Sequence, residues 1–465
     1  MKELDPIVPP ERDRMNVRGK SISVIGAARS GLAVAKLLKA QGVSVFVSDL
    51  QPVDELTAAA QELEKLGVPF EFGGHSERVY DAEILVISPG VPSSAPVVVA
   101  AASEGIKVVG ELEVASWYCR APIIAVTGSN GKTTTTSLIG RIFSDAKKDH
   151  VVAGNIGTAF SNFVLDLAET SVAVVEVSSF QLDRIETFHP RVAVILNITP
   201  DHLDRYGASF GEYIKSKCRI FMNQGTNDVL IYNNDDEVTR QQVSKLMHSS
   251  VRLLPFSAEQ SLPAGGYVKK NKVIVSLDGR KEELIDVRAI RIRGEHNLYN
   301  SMAAALAARA MEVGNEAIRQ SLMCFEGVEH RLEFVRELNG VRYINDSKGT
   351  NVNSVWYALQ SFEEPIILLL GGRDKGNDYS VLYDLVKKKV RAIVAIGESA
   401  DTVVRNFKNL TRVVKLDTMF DAVGQAERLA QRGDVVLLSP ACSSFDWFEN
   451  YEHRGRVFKE FVNQL

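Results

Sequence analysis

Cysteine is scarce in this chain of 465 residues: Cys119, Cys218, Cys324 and Cys442 are the only four. None forms a CxxC pair, so neither a zinc cluster nor a disulfide framework is suggested. Scattered thiols fit a reducing compartment. An excess of one charge is missing too. Lys+Arg numbers 54 and Asp+Glu 58, for a formal net charge of -4. That excludes a surface that is basic throughout, and with it the commonest signature of a nucleic-acid protein. Long hydrophobic runs are also lacking. The strongest, such as 366–370, are a quarter of the roughly 20 residues a membrane helix needs. The first residues, MKELDPIVPPERDRMNVRGK, have no apolar signal-peptide centre. The expectation is a cytoplasmic protein with no membrane or nucleic-acid partner.

What is present is ordinary globular composition, 45% apolar and 24% charged. At about 100–200 residues per domain, the length suits two to four domains, with three the central value. An apolar run, a glycine-rich or polar turn and a helical stretch recur along the chain. This alternation predicts an α/β fold with parallel sheets. One segment carries SISVIG, SVFVSD and ILVISPG as strands, with SGLAVAKLLKAQG as a helix. A second carries PIIAVTG, VAVVEVSSF and VAVILNITPDH, then a helical stretch over 209–222. A third carries PIILLLGG, RAIVAIGES and DVVLLSP, with YSVLYDLVKKKV as a helix. The expected domains are 1–118, 119–327 and 328–465.

The strongest local signal is TGSNGKTTTT at 127–136, after an apolar strand and before a helical pattern. A phosphate loop needs this context. Gly128 and Gly131 let backbone N–H groups turn inward, and the helix start adds partial positive charge. Lys132 can reach the β- and γ-phosphates, and the Thr133 hydroxyl can ligate Mg²⁺. Val126 stands where strict GxxxxGK[ST] has its first glycine. No NKxD base-recognition motif accompanies the loop, which argues against a switch GTPase and leaves motor ATPases open.

Glu176 ends the strand VAVVE, where a carboxylate can take Mg²⁺ directly or through water, or simply be solvated. His202 follows VAVILN in a turn with Asp201 and Asp204, suited to a metal or a phosphate. Lys217 lies four residues after Tyr213, three after Ile214 and three before Ile220, on the apolar stripe of its helix. Such a lysine can snorkel or pair with an acid. A desolvated one can instead lose its charge, add CO₂ and become a carbamate able to ligate Mg²⁺.

In the first segment, GAARSG at 26–31 keeps two glycines of a dinucleotide fingerprint but has Ala28 in the middle. Asp49 follows Gly31 by 18 residues, where an acid can hold a ribose. This reads as a Rossmann-like domain holding a nucleotide-linked ligand differently from NAD. An NAD oxidoreductase would leave the loop at Gly128 unexplained.

Taken together, TGSNGKTT, GNIG, EVSSFQLD, NITPDHLDRY, GEHNLYN, EHRLE, INDSKGTN and SPACSSFDWFENYEHRG resemble the Mur ligases. The likeness runs through all three segments in order. EVSSFQLD and SPACSSFDWFENYEHRG point to the branch that adds D-glutamate to UDP-N-acetylmuramoyl-L-alanine. The resemblance implies an ATP-driven amide ligase of three domains: Rossmann-like, central phosphate-loop and Rossmann-like. It implies an acyl phosphate intermediate in cytoplasmic peptidoglycan precursor synthesis. Related ligases with another acceptor, folylpolyglutamate synthases and a plain ATPase module are the rival readings.

By the same likeness, Gly128, Ser129, Asn130, Gly131, Lys132, Thr133 and Thr134 hold ATP, with Asn297, Asn300, Arg331 and Asp346. Thr133 and Glu176 hold one Mg²⁺; His202 and Lys217, the latter as a carbamate, serve a second. Lys132, His202 and Lys217 are the expected catalytic residues. Arg29, Ser30, Asp49, Ser88, Asn155 and His202 face the UDP substrate. Lys348, Thr350, Lys375, Ser444 and Tyr451 form the D-glutamate pocket, where two lysines suit an acceptor with two carboxylates. Leu50 and Gln51 replace the usual polar pair after the acid, and Tyr451 stands where phenylalanine is usual. A monomer is expected.

Overall fold

The computed structural model describes residues 17, 19–246, 250–374 and 376–465. The chain forms two compact units, Met1–Ala289 with Tyr299–Met323, and Ile290–Leu298 with Cys324–Leu465.

The first unit contains two sheets. In one, the parallel strands Phe70–Phe72, Ser44–Asp49, Ser21–Ile25, Ile84–Ile87 and Lys107–Gly110 lie side by side in that order. Strand order reverses at Ser21–Ile25, so a crevice opens at its carboxyl end, the usual ligand position in such sheets. The helix Arg29–Ala40 follows and buries Val34, Leu37 and Leu38.

The other sheet has nine strands, with Ile123–Thr127 flanked by Val172–Glu176 and Val192–Ile195. These three are buried along their whole length. That is why they read as unbroken apolar runs: a parallel sheet covered on both faces has no solvent side. Gly265–Lys269, Lys272–Leu277 and Arg280–Asp286 extend one edge as an antiparallel meander. One hydrophobic core joins the two sheets, from Val24 and Leu38 through Leu112 and Trp117 to Ile123, Phe160 and Phe188. Beside it, the Glu113 carboxylate accepts the backbone N–H groups of Glu186, Thr187 and Phe188 and the Trp117 indole N–H, at 2.8–2.9 Å.

The second unit holds a six-stranded sheet in the order Glu333–Leu338, Val341–Asn345, Val435–Leu438, Ile366–Gly371, Val390–Ile396 and Arg412–Lys415. All neighbours are parallel except the first pair. The α/β architecture with three parallel-rich sheets agrees with the expected fold class.

Two helices differ in detail from expectation. The stretch 209–222 is α-helical only over Phe210–Cys218, then tightens to a 3₁₀ turn at Arg219–Phe221, as helix ends often do. YSVLYDLVKKKV begins as a 3₁₀ turn, Ser380–Leu382, before the helix Tyr383–Lys389.

Candidate active site

The strand Ile123–Thr127 feeds the phosphate loop, and the helix Lys132–Asp145 leaves it. The loop is tied to the chain beyond the neighbouring strand. Ser129 N–H donates to the Asn197 carbonyl (2.9 Å), and Asn130 N–H to Asn197 Oδ1 (2.9 Å). Ser129 Oγ donates to the Thr199 carbonyl at 2.8 Å. Gly131 has φ +83°, and a Cβ there would lie 2.3 Å from Asn300 Oδ1. Only glycine fits that turn, and its bareness is what lets Asn300 approach the loop. Lys132 Nζ donates to the Gly128 and Ser129 carbonyls at 2.8 and 2.9 Å. Thr133 and Thr134 are buried at the helix start.

Lys217 is 1% exposed, and its Nζ donates to the same Gly128 carbonyl at 2.8 Å. Two lysines thus converge on one oxygen. Among the described residues, no carboxylate stands within ion-pair distance of Lys217. Its nearest support is the Tyr213 ring, with the centroid at 4.7 Å. Burial is the main force pushing its pKa well below the usual lysine range, and the charge of Lys132 adds to it; Asp201, Cys218 and Glu176 oppose.

Glu176 is 1% exposed at its strand end. Oε1 accepts from Asn155 Nδ2 at 2.7 Å, whereas Oε2 is buried with no hydrogen-bond partner. A buried carboxylate oxygen left unpaired is costly. A divalent cation would satisfy it, and a carboxylate with a threonine hydroxyl is the hard-oxygen donor set Mg²⁺ prefers. Glu176 and Thr133 therefore fit such an ion. His202 is half-exposed in a left-handed backbone conformation, φ +51°, with its ring edge-on to Phe180 at 5.0 Å. Nε2 stands 3.6 Å from Asp201 Oδ2.

In the first crevice, Ser88 Oγ donates to the Gly26 carbonyl at 3.1 Å. A Cβ on Gly31 would lie 1.7 Å from that same carbonyl oxygen, so the helix start presses directly on the turn. Both Asp49 oxygens take backbone N–H groups, from Ala27 (2.6 Å) and Gln51 (2.9 Å). Arg29 donates to the Gly157 carbonyl at 2.8 Å, and Ser30 beside it is half-buried. Asp49 and Arg29 thus brace turns as they stand.

In the second unit, Asp346 is buried just past the strand Val341–Asn345. It accepts from Ser439 Oγ (2.8 Å) and Leu332 N–H (3.2 Å), with Arg331 NH1 at 3.7 Å. Burial pushes its pKa up to about 6 against the pull of Arg331. Lys348 Nζ lies 5.4 Å from the centroid of the Tyr451 ring, and Thr350 N–H donates to the Lys348 carbonyl at 2.9 Å. Ser444 is buried, its carbonyl accepting from Trp447 and Phe448. Asn297 Nδ2 donates to the Arg293 carbonyl at 2.8 Å. Lys375 lies outside the described residues.

Two arginines escaped the sequence reading. Arg454 is 1% exposed and ties Ser347 to the Cys442 and Ser443 carbonyls. Its signal was available: it shares a helical stripe with Tyr451, Phe458 and Val462, as Lys217 does with its neighbours. Arg205 lies over the Phe180 ring, 4.2 Å from the centroid. Nothing in its spacing marks it.

Fold and site together define a phosphate-loop α/β protein with a cation-ready carboxylate and a buried lysine at the loop. Comparison with known proteins sharpens this. The Mur ligase MurD-like N-terminal domain matches residues 20–110, the Mur ligase middle domain 126–308, and the Mur ligase glutamate ligase domain 330–442. The UDP-N-acetylmuramoylalanine--D-glutamate ligase of Salinibacter ruber is 50% identical, covering 97% of this chain and 99% of its own. Its namesake from Chloroherpeton thalassium is 47% identical over the same shares. The crystal structure of UDP-N-acetylmuramate-alanine ligase MurC from Thermotoga maritima shares the fold at TM-score 0.60 and 19% identity, over 96% of this chain and 99% of that one. The chain belongs to the Mur ligase family.

Proposed function

We propose that this Mur ligase joins D-glutamate to UDP-N-acetylmuramoyl-L-alanine, using ATP and Mg²⁺. Residues 1–118 take the uridine nucleotide, 119–327 the ATP and 328–465 the amino acid. The substrate's alanyl carboxylate attacks the γ-phosphate, giving an acyl phosphate and ADP. The D-glutamate amine then attacks the acyl carbon, and phosphate leaves.

The observation that supports this chemistry best is the meeting of Lys132 and Lys217 on the Gly128 carbonyl. ATP phosphates at the loop would draw Lys132 and meet the positive end of the helix at 131–134, which would stabilise charge as the phosphoryl group transfers, while the Ser129 and Asn130 N–H groups stay with Asn197. Asn300 stands against the loop, and Asn297, Arg331 and Asp346 complete the ATP contacts. Thr133 and Glu176 would hold one Mg²⁺, and His202 with Lys217 would serve a second; such ions would offset repulsion between anionic reactants. Burial favours the neutral Lys217 amine, and the neutral amine adds CO₂ with loss of a proton. The resulting carbamate is a carboxylate on a long arm, in place of an uncompensated ammonium.

Arg29, Ser30, Asp49, Ser88 and Asn155 line the path of the UDP substrate. Arg29 and Asp49, engaged with Gly157 and with the Ala27 and Gln51 N–H groups, act there by shaping the turns. Lys348, Thr350, Lys375, Ser444 and Tyr451 receive D-glutamate. The reading takes the enzyme as a cytoplasmic monomer. No helix among the described residues is long and apolar enough to cross a membrane.

The test is phosphate release with ATP, Mg²⁺ and UDP-N-acetylmuramoyl-L-alanine across a panel of amino acids. Release with D-glutamate alone, with a matching amide product, is the expected result. Release with another acceptor would move the chain to a different ligase. Release without any acceptor or product would leave only an ATPase.

A further inference from the structure

The motif EHRLE gave Arg331 a role above and left its two glutamates without one. Arg331 sits in a turn with an unusual backbone. His330 and Leu332, on either side of it, have φ of +64° and +44°. L-residues rarely adopt that left-handed conformation, and a bulky one such as leucine does so at a cost. A turn strained on both sides of one arginine persists only where its surroundings over-determine it.

Those surroundings centre on Glu333. Its Oε2 accepts the His330 N–H and Asn345 Nδ2, each at 2.9 Å. Its Oε1 accepts from Lys459 Nζ at 2.9 Å, and the same ammonium donates to Glu329 Oε1 at 2.6 Å. Glu329, His330 and Glu333 bring three possible metal ligands together. Lys459 already pairs with both carboxylates, so the chain supplies its own cation there. Burial lowers the His330 pKa, which leaves Nδ1 able to accept from Asn345 Nδ2 at 2.9 Å. The bareness of Gly455 admits the ring: a Cβ there would lie 2.2 Å from Nδ1. Glu333 thus holds the turn at the residue before Arg331, and Asp346 holds it at the residue after, through the Leu332 N–H at 3.2 Å. Asp346 has a role at the nucleotide; Glu333 has none.

We propose that Glu333 is a positioning residue: its carboxylate, anchored by Lys459, locks the left-handed turn that presents Arg331 to ATP. The inference rests on the assignment of Arg331 to ATP above. It gives the charges of EHRLE on either side of Arg331 a task at the reaction without any contact to a substrate. A carboxylate suits that task because it can take a backbone N–H, an amide and an ammonium at once, and the charged acceptor makes each contact stronger.

The phosphate-release assay on the full chain, run to give a KM for each substrate, tests this. E333Q turns an amide toward Lys459 and Asn345, where the carboxylate accepted from both. Its KM for ATP is expected to rise about tenfold, the lower end for one charge-assisted hydrogen bond. The KM values for D-glutamate and for UDP-N-acetylmuramoyl-L-alanine should stay unchanged. K459M should raise the ATP KM less, because the Glu333 contacts to His330 and Asn345 remain; it also serves if E333Q does not fold. In an R331M background E333Q should add nothing further, since residues that act through one another are not additive. Equal rises in all three KM values, an unchanged ATP KM in E333Q beside a raised one in R331M, or full additivity of the two changes overturns the proposal alone. An unchanged ATP KM in R331M would instead sink the assignment of Arg331 to ATP, and the positioning role with it.

Discussion

Among the described residues, each unit buries one lysine or arginine at a helix stripe, and the two are treated oppositely. Arg454 has acceptors for all its nitrogens: Ser347 Oγ and the carbonyls of Ser347, Cys442 and Ser443. Lys217 has the Gly128 carbonyl, a ring face and a second lysine nearby. Burial lowers the pKa of both, yet Arg454 falls only to about 10 and stays charged near neutral pH. Lys217 is pushed well below its usual range. A guanidinium with many donors can pin loops together while charged. An ammonium with one acceptor in a dry site favours its neutral form, which is the reactive one. The buried arginine is held as a structural tie, and under the proposed function the buried lysine serves the chemistry.

The largest expected effect follows from that division. K217A should lower kcat by about a thousandfold, the scale of losing a central electrostatic contact at a reaction centre. Thermal stability should hardly change, because an uncomfortable ammonium is removed. Short carboxylic acids should restore part of the turnover. Full activity in K217A would break the comparison. R454M should do the reverse. It leaves buried carbonyls unpaired and should cost about 3 kcal/mol of stability, read as a lower denaturation midpoint. Collapse of activity with an unchanged midpoint would show that Arg454 is not chiefly a brace.

Asp346 tests whether Arg454 acts as a charge. Its pKa of about 6 lies above the ordinary 3.8, with Arg454 among the charges holding it down. The folded chain therefore binds more protons than the unfolded one between those values. The stability this group contributes is fully present below 3.8 and is lost as pH rises through 6. Chemical denaturation should show a decline of about 3 kcal/mol across that window, which D346N removes. In R454M the midpoint should move further up. If D346N keeps the full slope, another group titrates there.

The fold was legible where physics makes strands unambiguous. Parallel strands such as Ile366–Gly371, buried on both faces, appear as bare apolar runs. The antiparallel meander was not read, although Asp278 and Gly279, both with positive φ, form the kind of turn that joins paired strands. The clustered charges at 269–272 and 280–283 masked the pattern. Lys217 was legible because a charge on an apolar stripe is a local contradiction. Arg454 carried the same contradiction and was passed over inside a longer motif. The engagement of Arg29 was beyond reach, since its partner Gly157 lies 128 residues away. Spacing tells which residues share a face, but not which distant carbonyl a guanidinium will meet.

Glu176 sharpens the account of Lys217 from the other side. Its charge is one of the few that favour the Lys217 ammonium, and its Oε2 is the buried oxygen with no partner. In E176Q the amide keeps an acceptor for Asn155 but loses the anionic donor a hard cation needs. The Mg²⁺ concentration for half-maximal activity should rise about tenfold, a typical cost of weakening a metal site, while saturating Mg²⁺ should recover much of kcat. Removing the carboxylate also leaves Lys217 with less support for its charge, so the neutral amine becomes more favoured. A lower kcat with an unchanged Mg²⁺ requirement would mean that Glu176 serves Lys217 and Asn155 rather than the ion. The neighbours of the lysine, and not its burial alone, would then decide its chemistry.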